Sequence, residues 1–226
     1  MNYNITPKEI YNILRNDSII FQIYKAIEEK EIRDGGWAFH NYEHVKNVSI
    51  ISEKILRDLD FDENTIYKSK IACLLHDIGA LQGKENHAQR SFEYSKKLFE
   101  EHNWIFDGNE SILDAIQNHS SGFETDNIIT LSIILADKLD IKKNRITDAG
   151  KKIKGNRQYG HIEDINININ INESILTITF ITDNKLDFEE VNSYYFTDKV
   201  FKAIEAFSKK FNLRYNVLLD NKIWNH

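Results

Sequence analysis

The chain of 226 residues is 41% apolar and 28% charged with a formal net charge of −6, the composition of an ordinary globular protein with room for a core. That balance excludes a global basic field for nucleic acid or an anionic bilayer, and the longest apolar runs, "IACLL" and "LSIILA", are too short to cross a membrane. The opening "MNYNITPKEI" lacks a basic-then-apolar signal pattern, and the single cysteine, Cys73, excludes an intramolecular disulfide, so a cytoplasmic protein is expected.

One proline, Pro7, and apolar residues recurring every 3.6 positions predict a mainly α protein. Helices are expected near 7–15, 17–32, 42–59, 64–76, 87–102, 109–120, 126–141 and 190–212. Asn41 caps the third, whose apolar side carries Val45, Val48, Ile55, Leu56 and Leu59. The stretch 142–161 is irregular and basic, with Lys142, Lys143, Arg145, Lys151, Lys152, Lys154 and Arg157 against Asp148. A solvated face is the default for such a run, and its position after "ILADKLD" makes phosphate binding the alternative. Ile165, Ile167, Ile169 and Ile171 then alternate with asparagine, and "SILTITFIT" is rich in β-branched residues, so a β-hairpin turning at "NES" is expected. Val200, Ile204, Phe207 and Phe211 form the core stripe of the last helix. The expected architecture is a bundle of seven or eight helices over 1–160. One C-terminal hairpin and a closing C-terminal helix, 161–226, pack on the same body.

Six polar residues do not belong in a core. His44, His76, His87 and His119 lie within or at the edge of apolar-periodic helices, as do Asp77 and Asp137. A buried aspartate is costly unless it is paired or coordinated. Six such residues on successive helices point to a shared metal centre, since imidazole and carboxylate suit Fe, Mn, Co, Ni or Zn. Neighbours on a helix point about 100° apart, so His76 and Asp77 can reach ions off the helix end without sharing a face. Asp77 has two oxygens and can bridge two ions. His44 and Asp137 can complete the first ion, and His87 and His119 the second.

The ordered series His44, His76-Asp77, Asp137 resembles the HD-domain superfamily of metal-dependent phosphohydrolases, over roughly residues 37–141. The added His87 and His119 look like its dinuclear branch. "FHNYEHV" is similar to the His-Asn-x-x-His signature of cyclic-nucleotide phosphodiesterases, which makes His40 the candidate general acid by resemblance. The sequence also departs from relatives. Ala80 stands where a lysine often follows "HDIG", with Lys84 its substitute from the loop. "SSGFETD" after His119 lacks the Gly-Tyr-Pro element of cyclic-di-GMP phosphodiesterases, so that substrate is not expected.

The resemblance implies a mainly α, HD-type bundle and a phosphohydrolase that cleaves a phosphate ester, such as that of a nucleotide, by metal-activated water. His40 and Asp77 are the expected catalytic residues, with two divalent ions, Fe or Mn before Mg, Co, Ni or Zn. Lys84, Lys138, Arg145 and Arg157 are candidates for substrate phosphate, Lys138 being the one that can instead snorkel to solvent. No membrane or nucleic-acid partner is expected, and a homodimer is compatible with the helical surfaces. The same ligand set occurs in HD-type di-iron oxygenases, and a nucleotide-sensing module that keeps its metal for structure is the third reading.

Overall fold

A computed structural model describes residues 5–104 and 106–224; the first four residues of the opening stretch read for a signal lie outside them. Helix α1 (Pro7–Arg15) opens with a capping box between Thr6 and Glu9, and Pro7 in its first turn forfeits no helical hydrogen bond. Helix α2 (Ser18–Asp34) is capped by Asp17 and ends at Gly35, whose φ of 72° is the left-handed conformation that stops a helix. Helices α3 (Tyr42–Asp58) and α4 (Glu63–Leu75) start from Asn41 and Asp62, whose side chains accept amide hydrogens of the first turn. A 3₁₀ turn (Ile78–Gln82) leads to α5 (His87–Glu101), α6 (Asn109–Asn118) and α7 (Ile128–Leu139).

Helix α7 explains how an aspartate comes to be buried at the centre. Every residue from Ile129 to Leu139 is buried, because the helix has a core on two sides. Ile129, Ile133 and Ala136 face one cluster with Ile71, Leu75 and Ile116 of the helical body. Leu131, Ile134, Leu135 and Leu139 face the other, with Ile178, Phe180, Ile204 and Phe207. "LSIILADKL" therefore reads as apolar all round, as a helix enclosed on both sides must.

Three 3₁₀ turns (Lys143–Arg145, Gly150–Lys152, Asn156–His161) carry the basic stretch to the sheet. The hairpin expected from the Asn-Ile alternation is present as β1 (Ile162–Asn170) and β2 (Ile175–Thr182). Their register sets Ile165 against Phe180, Ile167 against Ile178 and Ile169 against Leu176. The hairpin is half of a larger sheet. Strand β3 (Arg214–Leu219) runs parallel to β2, and β4 (Lys222–Ile223) closes the order β1-β2-β3-β4. Two parallel strands need a crossover, and the helical segment between them supplies it. That segment, expected as one helix over 190–212, is two: α8 (Phe188–Asn192) and α9 (Tyr195–Lys210). Backbone at Tyr194 turns extended (φ −83°, ψ 127°), and its hydroxyl donates to Asn156 Oδ1 at 3.3 Å. Two strands thus follow the helix that was expected to close the fold. No helix among the described residues is long and apolar enough to cross a membrane.

Gly79 fixes how closely the 3₁₀ turn meets α5. A Cβ there would lie 2.4 Å from the His87 carbonyl oxygen and 2.6 Å from the Ser91 nitrogen, both backbone atoms. Gly79→Ala must therefore push α5 away. Overpacking of this kind costs about 1–3 kcal/mol, a fall of roughly 2–12 °C in Tm for a chain of this size. Because His87 begins α5, the variant should also bind metal less tightly. Calorimetric melting and metal titration check both.

Candidate metal centre

Five helices deliver six side chains to one buried point. His44 comes from the first turn of α3, His76 and Asp77 from the end of α4, His87 from the start of α5, His119 from the end of α6, and Asp137 from α7. All but His87 are buried, and His87 is half-buried. Tyr24 of α2 pins the end of α4 by donating to the Leu74 carbonyl at 2.6 Å.

Each histidine has its Nδ1 committed. His76, His87 and His119 donate from Nδ1 to the carbonyls of Cys73, Lys84 and Ile116, all at 2.7 Å. His44 donates from Nδ1 to Asp140 Oδ2 at 2.7 Å. A proton fixed on Nδ1 leaves the lone pair on Nε2, and all four Nε2 atoms turn toward Asp77. Asp77 Oδ2 lies 3.2 Å from His76 Nε2 and 3.5 Å from His44 Nε2. Asp77 Oδ1 lies 3.2 Å from His87 Nε2 and 3.6 Å from His119 Nε2. One oxygen faces each pair.

Two groups of donors result, His44 with His76 and Asp77, and Asp77 with His87 and His119. In each group the ligand atoms lie within 4.8 Å of one another. Asp137 stands beside the first group, its Oδ1 3.2 Å from His44 Nε2. Whether these residues fit a metal can be judged from their unmet needs. His44 Nε2 and His76 Nε2 are buried side-chain atoms with no hydrogen-bond partner, a costly arrangement that a cation relieves. His87 Nε2 and His119 Nε2 lie 3.0 Å apart with both Nδ1 atoms donating elsewhere, so two lone pairs face each other. A shared cation resolves that contact too. The donor set fits two divalent ions.

The electrostatics agree. Burial would push the Asp77 carboxyl up, but His76 and His40 outweigh it and hold the group well below the usual carboxylate range. Burial of Asp137 is likewise outweighed, by Lys138, His44 and Arg145. Burial and Arg145 pull the His44 imidazole down, yet Asp137, Asp140 and Asp77 hold it up at about 10. A position that favours positive charge so strongly suits a divalent ion.

The remaining sequence candidates divide. His40 lies outside the ligand groups, its ring 5.8 Å from that of His44 and its Nδ1 2.5 Å from Glu31 Oε1. Lys84 lines a cavity with His40 and Arg145. Lys138, expected either on phosphate or snorkelling to solvent, does not snorkel: it is buried and bonded to Asp137 Oδ2. Arg145 is buried as well. It donates to Asp137 Oδ1 at 3.4 Å and to the carbonyls of Asp140 and Phe39 at 2.9 and 3.3 Å, tying the approach to α3 against the end of α7. Arg157 is held by Glu190 of α8 at 2.5 and 2.8 Å, outside the cluster. Much of the basic stretch is paired in the same way, Lys143 with Glu163 and Lys151 with Asp148.

Residues 41–144 match the family model of the HD domain. That segment, a little under half of the chain, is similar to an HD domain. The match spans all six candidate ligands, and HD domains are mostly metal-dependent hydrolases. No curated protein matches the chain. Two side chains that serve this site are not visible as such in the sequence. Asp140 orients His44, and only its i+3 spacing from Asp137 hints at it. Glu31 holds His40 from outside the matched segment, hidden in the charged run "EEKEIRD".

Proposed function

We propose that the protein is a divalent-metal phosphohydrolase that cleaves a phosphate ester, of nucleotide size, by attack of water. The observation that supports this reading is the division of Asp77 between two histidine pairs, with a histidine and a lysine at the adjoining cavity. His44, His76, Asp77 and Asp137 would hold one ion, and Asp77, His87 and His119 the other. Bound ions would supply Lewis-acid polarisation of phosphoryl oxygens and a water of lowered pKa. Fe or Mn suits the mixed imidazole and carboxylate set.

The chain supplies the rest. Lys138 and Arg145 fix Asp137 and offset its charge, and Asp140 holds His44 in the tautomer that presents Nε2. Lys84, exposed at the cavity lip, meets the substrate phosphate. His40 delivers a proton to the leaving oxygen. Glu31 aims it, accepting from the His40 backbone at 2.8 Å with one oxygen and from the ring with the other.

Protein purified without oxygen and loaded with Fe or Mn should release phosphate from p-nitrophenyl phosphate esters and nucleotides anaerobically, and chelation should stop it. Oxygen consumption without phosphate release would make it a di-iron oxygenase instead. Tight nucleotide binding without turnover would make it a sensing module.

A further inference from the structure

We infer that the cavity beside the metal centre is a ring-stacking subsite, and that the substrates are phosphate esters of alcohols carrying a planar aromatic ring, as nucleosides do. This deepens the phosphohydrolase reading and rests on it for the reaction, although ring binding itself does not need a metal. The cavity, of about 110 Å³, opens beside His40, Lys84 and Arg145, and apart from Asn156 its other walls are aromatic or aliphatic, among them Trp37, Tyr159, Tyr194, Tyr195, Phe196 and Ile146. Trp37, Lys84 and Tyr195 are shared with a neighbouring cavity of about 380 Å³, so the two spaces meet at this aromatic pair and the lysine.

The wall reaches the metal centre. Lys138, bonded to Asp137, has its Nζ 5.9 Å from the centre of the Phe196 ring. Tyr195 packs between Tyr194 and Phe196, with ring centres 4.8 and 6.4 Å away. A plain core reading accounts for Tyr159 and Tyr194, which are 3% and 8% exposed. It does not account for Trp37 and Tyr195, which are 41% and 52% exposed at the mouth of a cavity next to a phosphate-handling centre. Large flat rings left in water at such a place are what a stacked ligand ring covers.

The polar atoms of the three buried wall residues are already committed. Tyr194 donates to Asn156 Oδ1, Tyr159 pairs with Thr197, and Asn156 Nδ2 donates to the carbonyls of Gly150 and Trp37. The buried part of the cavity therefore offers faces rather than free hydrogen-bonding edges. It selects for a ring and reads its edge weakly, as stacking platforms for bases do. Three of the five large aromatics here come from the start of α9, Tyr194 to Phe196, Tyr159 lies in the last 3₁₀ turn and Trp37 precedes α3, so all lie outside the matched segment.

Calorimetric titration of the metal-free protein with adenosine and with ribose tests the subsite apart from catalysis. Adenosine should bind and ribose should not. Trp37→Ala and Tyr195→Ala should each weaken adenosine by about 5- to 150-fold, the equivalent of ~1–3 kcal/mol for one stacked base. Trp37→Phe and Tyr195→Phe, which keep a ring face, should bind within a few-fold of wild type. Trp104 and Trp224 are buried, so the exposed Trp37 should dominate a fluorescence change on adding adenosine, and Trp37→Phe should abolish it. Equal affinity for adenosine and ribose, or alanine variants that bind adenosine as wild type does, would overturn the inference. A metal-loaded protein that binds adenosine in this way and hydrolyses no ester would leave the subsite standing and remove only the hydrolase reading.

Discussion

Asp77→Ala should strip the protein of both metal ions and lower phosphoester turnover on the order of a thousandfold or more, a barrier increase of about 4 kcal/mol. The size of the effect follows from position. Asp77 is the only one of the six side chains whose two oxygens face different histidine pairs, His44 with His76 and His87 with His119. Without it neither pair retains the bridging anion that brings two cations close together. Removing His87 or His119 singly is a milder change: each belongs to one donor group, so one ion of the two should go first. Asp77→Asn controls for folding, because it keeps the shape and one acceptor oxygen while losing the negative charge. Elemental analysis of the dialysed variants, beside their melting curves, separates metal loss from misfolding. Full metal content in Asp77→Ala would mean the ions sit elsewhere.

His40→Ala should keep both metals and still lose about 10²–10⁴-fold on esters whose leaving group needs a proton. On p-nitrophenyl phosphate esters, whose leaving group departs unaided, the loss should shrink to a few-fold. His44→Ala, by contrast, should abolish turnover of both through metal loss. The pH dependence has a definite sign. Burial and the Lys84 charge outweigh Glu31 and Asp77 and pull the His40 ring down to about 4. Its proton-donating form is thus the minor one at neutral pH, and turnover of unactivated esters should rise as pH falls toward that value. Glu31 favours the protonated ring, so Glu31→Gln should shift this limb to lower pH and reduce the rate on unactivated esters more than on activated ones. Equal loss on both ester types in His40→Ala would remove the proton-donor role. Loss of metal in that variant would make His40 a coordinating or structural residue.

The buried cluster of histidines and aspartates was legible because it breaks a pattern. Four histidines and two aspartates interrupt apolar helices, and a helix such as α7, buried along its length, takes Asp137 into the core. The hairpin was legible for the same kind of reason, since a strict period of two is incompatible with a helix. What escaped was pairing. Charge runs display residue types without partners, so Lys138 and Arg145 read as phosphate ligands although Asp137 engages both. Glu31 looked like one more surface acid in a helix of them, yet α2 turns it inward onto His40. Strand β3 has only Val217 and Leu219 buried and takes its place from a parallel neighbour some forty residues earlier in the chain, a contact no local window reports. The break between α8 and α9 has no glycine or proline to announce it. It comes from tertiary contacts of Tyr194 and Thr197, the latter donating its hydroxyl to the Val191 carbonyl at 2.6 Å.

Anomalous diffraction from crystals of anaerobically purified, metal-loaded protein tests the two-ion centre most directly. Two peaks should flank Asp77, one among His44, His76 and Asp137 and the other between His87 and His119. A single peak that leaves one histidine pair empty, or peaks that do not touch Asp77, would contradict it.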